Sequence, residues 1–209
     1  MTIFLIKKIR PIIVGIPGVG KTTIIHHVID LMRSHVKNLD GSSSQNSNID
    51  TVAFGTVMLE EANKIGITSR DDLRKLDLFT QKKLQENAAK NISSRDIDIL
   101  LVDTHLFINS KYGLLPGLPL SVLDNLSPTN LILIQADPNE ILNRRVTDET
   151  RDRSDFSFDL YNVKQDLELS RSMLSAISTL IGIPMLIVNN DDGKAKDIAN
   201  TILQSITGY

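Results

Sequence analysis

Gly15-Ile16-Pro17-Gly18-Val19-Gly20-Lys21-Thr22 decides how the rest of the chain is read, because it fits G-x-x-x-x-G-K-[ST] at every specified position. Directly before it, Ile12-Ile13-Val14 is a β-branched run that predicts a buried strand. Directly after it, Ile24, Ile25, Val28, Ile29, Met32 and Val36 recur at helical spacing and predict a helix over about 21–37. A glycine turn between strand and helix is the setting in which this motif cradles phosphate. Its glycines let successive backbone N–H groups point into one concavity. The helix that starts at Lys21 adds the positive end of its dipole. Lys21 then supplies a point charge to the outer phosphates of a nucleotide, and the Thr22 hydroxyl can hold Mg²⁺.

Outward from this loop, apolar runs alternate with amphipathic stretches. Strands are expected at 51–54, 97–102, 131–136 and 184–188, and helices at about 56–65, 69–77, 78–93, 120–126, 159–181 and 193–206. Pro138 stands where it would open one more helix at its first position. Counted with Ile12-Ile13-Val14, five short apolar strands separated by helices predict an α/β domain: a parallel sheet with helices on both faces. The stretch 38–50 is polar and rich in Ser, Asn and Gly, so it is expected as a surface loop within one domain spanning 1–209. Tyr112 to Pro119, rich in Gly and Pro, is also read as a loop.

Two further features bear on chemistry. Asp103 closes the apolar run Ile99-Leu100-Leu101-Val102. An acid at such a strand end can hold a magnesium-bound water near the β- and γ-phosphates; the competing assignment is a helix cap or a loop aspartate. The phosphate loop favours the metal role. Of ten arginines, Arg144, Arg145, Arg151 and Arg153 fall within ten residues. Guanidinium groups can neutralise the equatorial oxygens of a phosphoryl group in transfer, and a segment that closes would expel water. The competing assignment is a solvated helix face, since Asp148, Glu149, Asp152 and Asp155 nearly balance the charge.

Composition narrows the function classes. A net charge of −2 gives no electrostatic case for a nucleic-acid or anionic-membrane partner. The absence of cysteine excludes disulfides and a thiolate zinc site and suits a cytoplasmic protein. The apolar run Ile3 to Ile6 is too short for a signal peptide or a membrane span.

These residues, in this order, resemble the archaeal type of adenylate kinase, a P-loop nucleoside monophosphate kinase. The matching pieces are GIPGVGKTT at 15–23, FGTVMLEEA at 54–62 and RDDLRKLDLFTQKKLQENAAKNI at 70–92. VDTH at 102–105, KYGLLPGLP at 111–119, ADPNEILNRR at 136–145 and DETRDR at 148–153 follow. The resemblance implies ATP + AMP ⇌ 2 ADP with Mg²⁺, an AMP-binding helical region at about 54–93, a short moving lid at about 144–156 and assembly as a trimer. It implies that 15–23, from Gly15 through Thr23, bind ATP, that Thr22 and Asp103 serve the metal, and that Asn189 to Gly193 pass the adenine. Thr56 and Met58 are implied as AMP-adenosine contacts, Arg74 as an AMP-phosphate contact, and Gly117 as a neighbour of the AMP site. Lys21 is implied as catalytic, with Arg144 and Arg145 flanking the lid and Arg151 and Arg153 reaching the transferring group.

The sequence carries two rival readings. A regulatory GTPase or motor ATPase would share the phosphate loop, but Asn63-Lys64-Ile65-Gly66 lacks the aspartate of a guanine-reading motif. An assembly factor with a kinase fold is the other rival, because fold alone does not fix function. His26 and His27 are adjacent and cannot share a helix face, so they read as structural. His105 stands two residues beyond Asp103, either orienting substrate or Asp103 or serving as an ordinary loop histidine.

Overall fold

In a computed structural model, which describes residues 8–39, 48–147 and 159–208, the alternation within each strand sorts into two cores. Ile12, Val14, Leu100, Val102, Leu131 and Leu133 face one way, and Ile13, Leu101, Ile132 and Ile134 face the other. Period-two alternation of apolar residues on both faces is what a sheet covered on both sides demands. Strands β1 (Pro11–Val14), β2 (Ile49–Ala53), β3 (Ile99–Thr104), β6 (Asn130–Gln135) and β7 (Met185–Asn189) form that sheet. All four pairings are parallel, in the order β2-β3-β1-β6-β7.

Helix α1 (Lys21–Leu39) and helix α8 (Ala195–Thr207) pack on one face, through Ile24, Val28, Met32, Ile198 and Ile202. Helices α2 (Phe54–Asn63), α4 (Leu78–Ser93) and α5 (Leu120–Leu126) pack on the other, through Val57, Met58, Leu84, Ala88, Val122 and Leu126. Helix α3 (Arg70–Lys75) bridges α2 and α4; α6 (Pro138–Thr147) follows β6, and the long α7 (Leu160–Ile181) leads into β7. Among the described residues, no helix is long and apolar enough to cross a membrane.

Two local expectations change. Phe54 is not the end of a strand but the first residue of α2, buried in the core. The segment read as a loop at 112–119 contributes half of an antiparallel hairpin, β4 (Phe107–Ser110) with β5 (Gly113–Pro116). Its turn is made by Gly113 at φ +97° and by the Ser110 hydroxyl, which accepts from the Tyr112 N–H at 3.1 Å and donates to the Gly113 carbonyl at 2.8 Å. The hairpin lies largely exposed, so no apolar alternation marked it in the sequence.

The strand order places β1 between β3 and β6, where the connections turn to opposite sides. Ligands of open α/β sheets bind at that point, beyond the C-terminal ends of the strands. The register sets Ile13 beside Asp103 and Val14 beside Thr104, so the phosphate loop and the end of β3 leave the sheet together.

Candidate active site

The loop between β1 and α1 is bent as its glycines allow. Gly20 has φ +85°, and a Cβ there would fall 2.4 Å from the Asn190 side-chain nitrogen. A side chain at that position is therefore excluded twice, by dihedral and by space. The Lys21 ammonium is buried and donates to the Gly15 carbonyl at 2.7 Å. It also stands 3.9 Å from the Asp103 carboxylate. The ammonium is thus held against the loop, opposite the acid at the end of β3. His105 Nδ1 lies 3.1 Å from the same Gly15 carbonyl, which can accept a hydrogen bond from it.

Beyond the loop opens a cavity of about 1080 Å³. Its walls include Gly15 to Pro17, Asp103 to Asn109, and Phe54, Gly55, Met58, Arg70, Leu73 and Arg74. Ala53, Leu114, Arg145, Asn162, Asp166 and Ser170 also line it.

The two arginines of α6 part company. Arg145 is buried, and its Nε donates to the Pro17 carbonyl at 3.0 Å. Burial lowers its pKa, an effect the nearby Asp166 carboxylate opposes. Asp166 is shifted the other way: burial raises its pKa, and the Arg145 charge counters part of that rise. Arg144 turns from the cavity toward the end of β7. It bonds Glu140 at 2.8 Å and Asp192, and donates to the carbonyls of Asn190 at 3.2 Å and Gly18 at 3.5 Å.

On the far wall, Ser69 caps α3 by accepting from the Asp72 N–H at 3.0 Å, which aims Arg70 and Arg74 at the cavity from one short helix. Arg70 lies against Gly55 and donates to the Thr56 hydroxyl at 3.3 Å. Arg74 pairs with Asp71 at 3.3 Å. The wall is strapped from behind. Gln81 donates to the carbonyls of Arg74 at 3.2 Å and Leu76 at 2.9 Å, Gln85 to that of Pro116 at 3.1 Å, and Lys111 to that of Lys75 at 2.9 Å.

The expected residues therefore occupy different places. Gly15, Ile16, Pro17, Asp103, Met58, Arg74 and Arg145 line one cavity. Thr22 and Thr23 are exposed in the first turn of α1. Thr56 stands behind Arg70. Gly117 supports the turn between β3 and β4: a Cβ there would sit 1.9 Å from the His105 carbonyl, and its N–H donates to the Leu106 carbonyl at 2.7 Å. Arg151 and Arg153 lie outside the described residues. Arg70, Asn162 and Asp166 escaped the sequence reading. The signal for Arg70 was its place in RDDLRKLD, one helical turn before Arg74 and so on the same face of α3. Asn162 and Asp166 belong to no motif.

A family model described as an AAA domain matches residues 14–159. The chain is 36% identical over 200 residues to an adenylate kinase of Sulfurisphaera tokodaii, covering 93% of this chain and 97% of that protein. It is 35% identical over 198 residues to an adenylate kinase of Thermoplasma acidophilum, covering 94% and 98%. Among solved structures, shikimate kinase from Bacteroides thetaiotaomicron superposes with a TM-score of 0.62 at 12% identity, over 96% of this chain and 99% of that one. Shikimate kinase from Acinetobacter baumannii, in complex with shikimate, gives 0.59 at 16% identity over 95% and 93%. At those identities the likeness is one of fold.

Proposed function

The chain belongs to the adenylate kinase family and carries an AAA domain, and from that premise we propose how its cavity performs reversible phosphoryl transfer, ATP + AMP ⇌ 2 ADP. One observation carries the reading: a single cavity runs from the phosphate loop to Arg70 and Arg74. Two nucleotides whose phosphates approach from opposite walls would meet between Lys21 and Arg145.

On the donor side, the loop amides hold the phosphates of ATP. Lys21 exchanges its bond to the Gly15 carbonyl for the outer phosphates. Arg145, anchored through Nε, keeps a cation in the cavity wall where charge grows during transfer. On the acceptor side, Arg70 and Arg74 take the AMP phosphate, with Met58 and Phe54 against its adenosine. Little covalent work falls to the protein; alignment and charge do most of it.

The Thr22 hydroxyl and the Asp103 carboxylate are hard oxygen donors, which fits Mg²⁺ bound mainly through phosphates and water. Bound there, Mg²⁺ would neutralise charge on the transferring phosphates. Arg151 and Arg153 are proposed to close over the transferring group. A cytoplasmic location, in keeping with the lack of cysteine, and a homotrimer, checked by sedimentation, complete the proposal.

The direct test supplies ADP and Mg²⁺ alone. Equal amounts of ATP and AMP should form without any protein partner. A chain that binds ATP but leaves ADP unchanged would instead support an assembly factor with a kinase fold.

A further inference from the structure

We infer that Asn190 is a positioning residue of the phosphate loop: its side-chain amide sets the orientation of the Val19–Gly20 peptide and thereby aims the Gly20 N–H at bound phosphate. The inference rests on the reading of 15–22 as the phosphate site.

Asn190 follows directly on β7, far from the loop in sequence, yet it is buried against it. Its Nδ2 donates to the Val19 carbonyl at 2.8 Å across 171 residues. A Cβ at residue 20 would fall 2.4 Å from that nitrogen, so the amide occupies space that the glycine leaves free. A peptide unit is planar and trans, so its C=O and N–H point in opposite directions. Drawing the Val19 carbonyl toward Asn190 therefore turns the Gly20 N–H away from Asn190. A loop that binds anions requires its amides inward and its carbonyls outward, and Asn190 fixes one such unit in that sense before any ligand arrives.

Asn190 is itself fixed. Its backbone N–H donates to the Gln135 carbonyl at 2.6 Å, and its own carbonyl accepts from Arg144 at 3.2 Å. Gln135 is held in turn, donating to the Leu167 carbonyl at 3.3 Å and accepting from Arg171 Nε at 2.7 Å. The end of β7 is thus a rigid mount reaching across β6 to the loop. A residue that merely filled space would need no donor at this point. A donor directed at a loop carbonyl serves the phosphate geometry.

The test uses inorganic tripolyphosphate, which has no adenine, alongside ATP and AMP, with calorimetry on the full chain. Asn190→Ala should weaken tripolyphosphate and ATP alike by about tenfold, the effect of losing one buried hydrogen bond that orients a donor. Binding of AMP to the acceptor wall should stay within about twofold, as for a site that shares no contact with residue 190. Asn190→Asp, which keeps the shape but sets a carboxylate against the Val19 carbonyl, should weaken tripolyphosphate further and covers the case of an Ala variant that folds poorly. The amide resonance of Gly20 should move on adding tripolyphosphate to the wild type and stay still in Asn190→Ala. Unchanged tripolyphosphate binding overturns the inference. So does a loss confined to ATP, which would make Asn190 an adenine contact, and so does an equal loss for all three ligands, which would make its role purely structural. If the wild-type chain itself binds no tripolyphosphate, the phosphate-loop reading falls, and this inference with it.

Discussion

The two walls of the cavity are built on different principles. The donor wall is backbone, turned by glycines and pinned from outside: Lys21 and His105 meet at the Gly15 carbonyl, Arg145 holds that of Pro17, and Asn190 that of Val19. The acceptor wall is side chain, with Arg70 and Arg74 on a short helix, one bonded to Thr56 and the other to Asp71. The side chains that pin the first wall, Lys21, Arg145 and Asn190, are buried, and their bonds are in place before a ligand comes. On the proposed function, the second would exchange exposed, weak contacts for a phosphate, which costs little because exposed pairs are worth little. Substitutions of the donor wall's cations, Lys21 and Arg145, should therefore act on the chemical step, and those of the acceptor wall's arginines on affinity for one substrate.

The largest effect is expected at Lys21. Lys21→Met removes a buried charge 3.9 Å from Asp103 and should lower kcat by about a hundredfold or more while the chain stays folded. Near-normal turnover by the folded variant would break the contrast at its strongest point. Next comes Arg145→Lys. An ammonium can replace charge but not a planar fork able to bond Pro17 through one nitrogen and phosphate through another. A loss of about ten- to a hundredfold in kcat, with smaller changes in KM for either nucleotide, is expected. Arg151→Lys and Arg153→Lys belong in the same series. If both are fully active, the closing segment is only a solvated face.

The acceptor wall should respond differently. Arg74→Ala and Arg70→Ala should each raise KM for AMP by about tenfold and leave KM for ATP nearly unchanged, as loss of binding to one substrate does. Steady-state kinetics with each nucleotide varied in turn decides this. An equal rise in both constants would erase the distinction between the walls.

The same contrast explains what could be read from sequence. The phosphate loop was legible because its chemistry is local: strand, glycines, lysine and helix are contiguous. The central strands were legible because burial on both faces leaves unbroken apolar runs, as in Leu131-Ile132-Leu133-Ile134 of β6; the edge strands β2 and β7, partly exposed, carry shorter apolar signals. The acceptor wall depends on contacts across elements, and those leave no local trace. Arg70 and Arg74 share a motif, yet only the fold shows that Thr56 stands behind Arg70. Gly117 was implied as a neighbour of the AMP site, and only the fold shows the His105 carbonyl packed against it. Asn190 and Asp166 reach the site only because β7 and α7 pass beside it.

The smallest effect, and the sharpest in sign, concerns Asp166, which faces Arg145 where the donor wall meets α7. Burial opposes its charge and Arg145 favours it, and burial is the larger influence, so its folded pKa is raised above the ordinary 3.8. A carboxyl whose folded pKa is raised adds stability that is full below its unfolded value and lost as pH climbs through the folded value. Asp166→Asn keeps the shape and cannot ionise. Well below pH 3.8 the two proteins should melt alike, since the wild-type carboxyl is then neutral in both states. As pH rises, the wild type should fall behind the variant, and the gap should level off above the folded pKa. Melting temperatures across that range decide the sign. If the variant melts lower than the wild type at neutral pH, the attraction to Arg145 outweighs burial. Arg145 would then be held chiefly by Asp166 rather than by the Pro17 carbonyl, and the donor wall would be less independent of α7 than its backbone bonds indicate.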